Sequence, residues 1–248
     1  MAGKVKIGTC GFRSTKEEYA KTFSTVEVQH TFYQPPQIST LERWRDLVPP
    51  DFEFAIKAWQ LITHEAKSPT FKRLKKILTE TERAEAGRFK PTAIVAEAWE
   101  TTLACAKALQ AKTILFQCPA SFKQTPENID NLEKFFASVK RGKLNFAWEP
   151  RGDWNPKTVK SICEDLNLWN AVDPFEKMTE TPGKCYYRLH GRGGFRYKYE
   201  EDELAELAAL LPKNKISYVF FNNRYMTEDA LLFQQLSGQQ TIKPKTEN

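Results

Sequence analysis

STVEVQHTFY, residues 24–33, reads as a short strand that runs straight into reactive side chains. Alternate side chains of an extended segment point to opposite faces, so Val26 and Val28 share one face while Glu27 and Gln29 share the other. With the valines packed beneath helices, Glu27 faces the inside of the sheet. A carboxylate buried there must be paired, protonated or metal-bound. Seven more apolar segments have the same form, giving strand candidates at Val5–Thr9, Thr25–Gln29, Phe52–Lys57, Thr113–Gln117, Leu144–Glu149, Leu168–Val172, Cys185–His190 and Ile216–Asn222. Most are near-continuous apolar runs, as expected of parallel strands covered on both faces.

Helical signals separate most of these segments. Thr125-Pro126 and Asn155-Pro156 are cap-plus-proline starts, the first followed by Ile129, Leu132, Phe135 and Phe136 on one face. Further helices are expected at about 37–48, 91–111 and 200–211, with Thr227 capping a last one. Strand–helix alternation over 248 residues fits an α/β fold, a single (β/α)8 TIM barrel over residues 1–236 with a polar tail at 237–248. Irregularity is expected around strands 6 to 7, where no helix is evident between Val172 and Cys185. The long crossover from Ala58 to Lys112 should carry extra helix.

The composition, 41% hydrophobic with no long uncharged apolar run, excludes a helical membrane span, and the start MAGKVKIGTC does not read as a signal peptide. A cytoplasmic protein without a membrane partner is the expectation. The five cysteines are widely spaced and form no CxxC, so they read as reduced core thiols. Between His64 and Lys90, eight Lys/Arg face four Glu, which places +4 of the chain's +6 charge in one segment. That patch suits a phosphate polyanion, or is simply a solvated face.

In a barrel of this kind the strand C-termini form the reactive face. There the sequence offers Glu27, Lys57, Glu149 and His190 as catalytic candidates. For substrate binding it offers His30, Tyr33, Gln117, Arg151, Arg188, Gly191, Arg192, Gly193, Asn222 and Asn223. The alternative is a buried salt-bridge layer. GRGG at 191–194 and NNR at 222–224 follow strands 7 and 8, where such barrels hold phosphate on backbone N–H groups. His30 and His190 with Glu27 and Glu149 would make a two-histidine, two-carboxylate set for a divalent metal. No HxH or HExxH pair supports it, so the cofactor stays unknown.

IGTCGF, STVEVQHTFY, FAIKAWQLITH, LFQCPASFKQTPENIDNL, FAWEPRGDW, YYRLHGRGG and YVFFNN together resemble successive signatures of domain-of-unknown-function family 72, the YecE-like proteins. The resemblance spans Lys6 to about Asn223 and implies a TIM barrel, but brings no established reaction. Cys10 stands where the family more often has serine and Cys118 where proline is frequent. Residues 67–90 are the least family-like.

Three functions follow as expectations. The first is a hydrolase or lyase, nuclease-like, on a phosphate-bearing substrate such as nucleic acid or a phosphorylated small molecule. In it Glu149 or Glu27 is the base, Lys57 an electrophile or amine nucleophile, and His190 the proton donor. The second is a non-catalytic nucleic-acid binder using the basic segment with Phe71 and Phe89. The third is an enzyme on a neutral sugar or small metabolite. The oligomeric state stays open.

Overall fold

The computed structural model describes residues 5–212 and 215–238. Eight parallel strands follow one another around a nearly closed barrel: β1 (Val5–Thr9), β2 (Thr25–Val28), β3 (Glu53–Lys57), β4 (Thr113–Gln117), β5 (Asn145–Glu149), β6 (Trp169–Val172), β7 (Cys185–Leu189) and β8 (Ser217–Phe221). β1 pairs with β8, and closure against β2 runs through the Cys10–Glu27 bridge and the Gly11 N–H, which donates to the Glu27 carbonyl at 2.9 Å. Gly8 makes this seam tight, because a Cβ there would lie 2.2 Å from the Thr25 carbonyl oxygen.

Strand parity sorts the side chains into two shells. Val26, Val28, Phe54, Ile56, Ile114, Phe116, Phe146 and Trp148 point outward into the layer beneath the helices. Cys10, Ala55, Leu115, Ala147, Ala171, Tyr186, Tyr218 and Phe220 fill the lumen. Three alanines opposite three large aromatics keep the lumen packed, since close packing requires large and small volumes to compensate. Below this plug, Lys6 pairs with Glu53 at 3.0 Å and the Tyr218 hydroxyl donates to the same carboxylate at 2.7 Å. The polar cluster described below lies at the other end.

Helices Ile38–Asp46, Ala93–Ala108, Pro126–Ser138, Pro156–Asp165 and Glu201–Leu210 occupy the expected places. Thr125 accepts from the Asn128 N–H and Asn155 from the Lys157 N–H, the cap geometry that the two X-Pro pairs implied. The last helix, Met226–Leu236, starts one residue before Thr227, with Tyr225 and not Thr227 at its N-cap. Lys16–Thr22, His30–Tyr33 and Gln60–Thr63 are short helices without a sustained apolar period, which leaves little sequence signal.

The long third crossover carries extra helix, including Glu80–Glu85, whose Thr79/Glu82 capping box closes its N-terminus. Between β6 and β7 there is no helix. That connection is pinned instead by Asn170, which receives the Glu180 N–H on its side chain and the Thr179 hydroxyl on its carbonyl. Among the described residues no helix is long and apolar enough to cross a membrane. Residues 239–248 of the expected polar tail lie outside the described residues.

Candidate active site

Because Glu27, Lys57, Gln117, Glu149 and Arg188 share the inward parity of their strands, the barrel brings them to one end of its lumen. Arg188 is the hub and is wholly buried. Its Nε donates to both Glu27 oxygens at 3.1 and 3.0 Å, its Nη2 to Glu27 Oε1 at 2.8 Å and its Nη1 to Glu149 Oε2 at 2.6 Å. Glu27 also accepts from the Tyr186 hydroxyl at 2.7 Å, the Cys10 thiol at 3.2 Å and the Gln29 amide.

A second branch starts at Glu149 Oε1, which accepts from Arg151 Nε at 2.9 Å and Gln117 Nε2 at 2.8 Å. The Gln117 carbonyl in turn accepts from Lys57 Nζ at 2.5 Å, and that ammonium lies 3.7 Å from the centroid of the Phe32 ring.

Electrostatics divide the cluster. Burial alone would raise both carboxylates, but the Arg188 guanidinium outweighs it, holding Glu27 below the ordinary carboxylate range and Glu149 well below it. Lys57 goes the other way. Burial and the nearby Arg188 lower it to about 7, against the opposing pull of Glu149 and Glu27. His64 is driven down to about 3 by burial, with Lys57 and Arg151 adding to it, and stays neutral. It is a buried residue beside Phe32.

His190 stands at the mouth. Its Nε2 lies 2.7 Å from Arg151 Nη2 and 3.3 Å from Arg188 Nη1. Nε2 also lies 3.5 Å from Glu149 Oε1, so it meets two guanidinium donors and one carboxylate acceptor. Asn222 Nδ2 lies 3.1 Å from His190 Nδ1. The His190 backbone N–H donates to Asp173 Oδ2 at 2.8 Å. Asp173 is raised by burial, although the N–H groups of His190 and Phe175 oppose the shift. Glu149, Arg151, Asp173, Glu176, Lys177 and His190 face a cavity of about 190 Å³ at the C-termini of β5 to β7.

Glu27, Lys57, Gln117, Glu149, Arg151, Arg188, His190 and Asn222 therefore form one connected network. The remaining expected residues stand apart from it. His30 follows the end of β2 and packs against Trp44 at 5.5 Å between ring centroids, while Tyr33 lies under Arg73 at 3.5 Å. Arg192 donates to Glu203 at 2.6 Å. Gly191, at φ +90°, opens a turn whose N–H is taken by the Tyr199 hydroxyl, and a Cβ there would strike the Gly194 carbonyl oxygen at 2.4 Å; Gly193 lies exposed in the same turn. Asn223 is buried and donates to the Tyr197 carbonyl and to Asp229.

The His30, His190, Glu27 and Glu149 set is not assembled, because both carboxylates turn onto Arg188 and His30 sits on the rim. Among the described residues no three His, Cys, Asp or Glu converge as a metal site. Phe89 is buried too, not exposed. Positive φ at Gly87, Arg88 and Phe89 turns its ring inward against Phe116, Phe122 and Phe135.

Sequence reasoning missed Tyr186, Asp173 and Lys177. Tyr186 shares the parity of Arg188 in YYRLH, and Asp173 directly follows β6, so both carried a readable signal. All five cysteines are free and buried. Cys10 is part of the lumen and touches Glu27.

The fold is a parallel β/α barrel with a buried ion-pair cluster at its C-terminal end. The chain belongs to the family described as Protein of unknown function DUF72, whose model matches residues 11–247. The DUF72 protein EF0366 of Enterococcus faecalis V583 is similar to it at 21% identity and a TM-score of 0.74, over 98% of this chain and 100% of that one. TM1631 of Thermotoga maritima MSB8 is similar at 23% identity and 0.70, over 94% and 98%. An AP endonuclease, family 2, of Brucella melitensis shares the fold at 10% identity and 0.54, over 95% and 98%. No curated protein matches the chain.

Proposed function

We propose that this barrel is a hydrolase or lyase acting on a phosphate-bearing substrate, with nucleic acid as the substrate class. One observation carries the reading: the cavity above Glu149, where His190 Nε2 lies against Arg151 and Glu149 and the cations Arg151 and Lys177 line the wall. A phosphate oxygen entering the cavity takes over the Arg151 N–H groups now given to Glu149 and His190. That frees His190 Nε2 to accept a proton from the attacking water or hydroxyl as its oxygen bonds to phosphorus. When the P–O bond to the leaving group breaks, the imidazolium returns the proton to the departing oxygen. Glu149 stays ionised and steadies Arg188, Arg151 and the imidazolium, a role its depressed pKa suits better than that of a base.

Lys57 favours a second, lyase reading. An amine near neutrality against an aromatic ring attacks the aldehyde of an abasic sugar, loses water and forms an imine, from which elimination breaks the C–O bond to the 3′ phosphate. The fold shared with an AP endonuclease makes abasic DNA the first substrate to try. Labelled single-stranded, duplex and abasic oligonucleotides and phosphorylated sugars would be incubated with the protein, with divalent metals and with chelator. The expected result is strand cleavage that His190→Asn abolishes without lowering the melting temperature. No turnover of any phosphate ester across this panel overturns the reading. Borohydride trapping of a covalent adduct that Lys57→Met loses would select the lyase route.

A further inference from the structure

The proposed function leaves unused a second basic feature, away from the cavity above Glu149. Arg13 after β1, Arg196 in the loop after β7 and Arg224 after β8 line one cleft of about 530 Å³ with Phe195, Thr227 and Glu228. All three arginines are exposed, and none forms an ion pair among the described residues. Three guanidiniums therefore face a single carboxylate, Glu228.

The loops that carry them are tied together from below. The Arg224 N–H donates to the Phe195 carbonyl at 2.7 Å, and buried Asn223 donates to the Tyr197 carbonyl at 2.8 Å and to Asp229 at 2.6 Å. On the third side, Arg13 Nε contacts the Met226 sulfur at 3.3 Å. The loops that carry the charges are thus tied to one another rather than free, and the mutual repulsion of the charges is what an anion relieves. Phe195, 55% exposed at the edge of this cleft, offers a flat apolar face beside the charges.

We infer that Arg13, Arg196 and Arg224 with Phe195 form a subsite for the sugar-phosphate backbone of single-stranded nucleic acid, the arginines holding successive phosphates and Phe195 stacking on a base. The chemistry points there because unpaired guanidiniums recognise phosphates by bidentate hydrogen bonds, and an exposed ring next to them is the stacking platform of single-strand binding. A free phosphate needs no ring, and a duplex presents no unstacked base. Arg192, paired with Glu203, is not part of the subsite. This inference deepens the proposed function by naming the strand form of its substrate, and rests on that reading for the substrate class.

The test is a fluorescence-anisotropy titration of a labelled single-stranded 12-mer against the full chain at several salt concentrations, about twelve nucleotides being within the span of single-strand sites. Replacing Arg13, Arg196 and Arg224 together by Gln should flatten the slope of log affinity against log salt by about 2, at about 0.7 for each phosphate no longer neutralised. Phe195→Ala should weaken binding roughly tenfold and leave the slope unchanged. Circular dichroism and melting should be unaltered in both, since the side chains are on the surface. Wild-type protein that binds the 12-mer while the triple variant keeps its affinity and slope overturns the subsite and leaves the catalytic reading standing. Binding of a mononucleotide or inorganic phosphate as tightly as the 12-mer, equal preference for duplex, or no binding of the 12-mer at low salt also overturns it. Turnover measured separately decides the catalytic reading.

Discussion

Arg188 on β7 holds Glu27 on β2 through two nitrogens at once, Nε and Nη2, while its remaining Nη1 reaches Glu149 on β5. One planar fork thus ties together carboxylates from separate strands inside a buried lumen. The sequence order of these residues gives no hint of the arrangement. It follows from inward parity at three strand ends.

Lysine cannot replace that fork. Its ammonium is a compact charge on a flexible stem, so Arg188→Lys leaves one carboxylate buried and unmatched. Removing one side of a buried pair costs about 3–5 kcal/mol, and the conservative variant should lose nearly as much stability as Arg188→Met. Chemical denaturation of both variants checks this. An Arg188→Lys protein as stable as wild type would show that the two contacts are not jointly required.

Glu149→Gln and Lys57→Met separate a catalytic cluster from a structural one. Glu149 accepts from Arg188, Arg151 and Gln117, whereas Lys57 donates to Gln117 alone. Assayed while folded on whichever phosphate ester the screen identifies, Glu149→Gln should lose at least about 100-fold in rate by unsettling Arg151 and the imidazolium, and Lys57→Met should lose as much on the lyase route. Glu149→Gln should also melt early. Early melting of both with normal specific activity in the folded state would identify a buried ion-pair layer with no catalytic duty.

The eight strands were legible because each is a short apolar run ending in polar residues, and their observed limits differ from the sequence reading by one residue at most at either end. Glu27, Lys57, Glu149 and Arg188 were legible for the same reason, since parity alone decides inside from outside. His30 was not. It follows the point where β2 ends and a one-turn helix begins, a change set by tertiary packing around Phe32 and Trp44. The hub role of Arg188, the engagement of Arg192 by Glu203 and the inward turn of Phe89 depend on residues far apart in sequence, for which no local pattern exists.

Gly8 tests closure of the barrel. A methyl group at this position meets the backbone of β2, which cannot move aside without opening the β1–β2 seam and displacing the Cys10–Glu27 bridge. Gly8→Ala should therefore destabilise by roughly 1–3 kcal/mol as an overpacking change, and should disturb activity even though residue 8 lies below the site. Gly142→Ala is the control: φ is +59° there, yet nothing lies within 4 Å, so only backbone strain applies. Equal melting of Gly8→Ala and wild type would show that the seam is loose.

The basic segment at residues 67–90 is less uniform than its charge count. Lys76 is bound to Glu97 at 2.6 Å and Arg88 to Glu65 at 2.9 Å, while Lys72 and Lys75 are exposed and Arg73 lies over Tyr33. Replacing Lys72, Arg73, Lys75 and Lys76 together should weaken nucleic-acid binding and flatten its salt slope, with Lys76 contributing least. Unchanged affinity and slope would make the segment a solvated face.

Lys57 should write itself into the pH dependence of stability. Its pKa is about 7 in the folded chain, against roughly 10.4 for an unfolded lysine. Between those two values the unfolded chain binds the extra proton, so unfolding free energy rises with pH across this window. Below about pH 7 the ammonium is charged in both states and its burial cost is carried in full. Above about pH 10 both states are neutral and the cost is gone. Other groups titrate in the same range, including buried tyrosines whose raised pKa values act in the opposite direction at its alkaline end. The informative quantity is therefore the difference between wild type and Lys57→Met, measured by denaturant unfolding from pH 6.5 to 9.5, about the span of the transition. Wild type should gain on the variant steadily as pH rises. A difference that stays flat across this range would mean that Lys57 keeps its proton in the folded state, and both its neutral-amine role and the lyase route would fall with it.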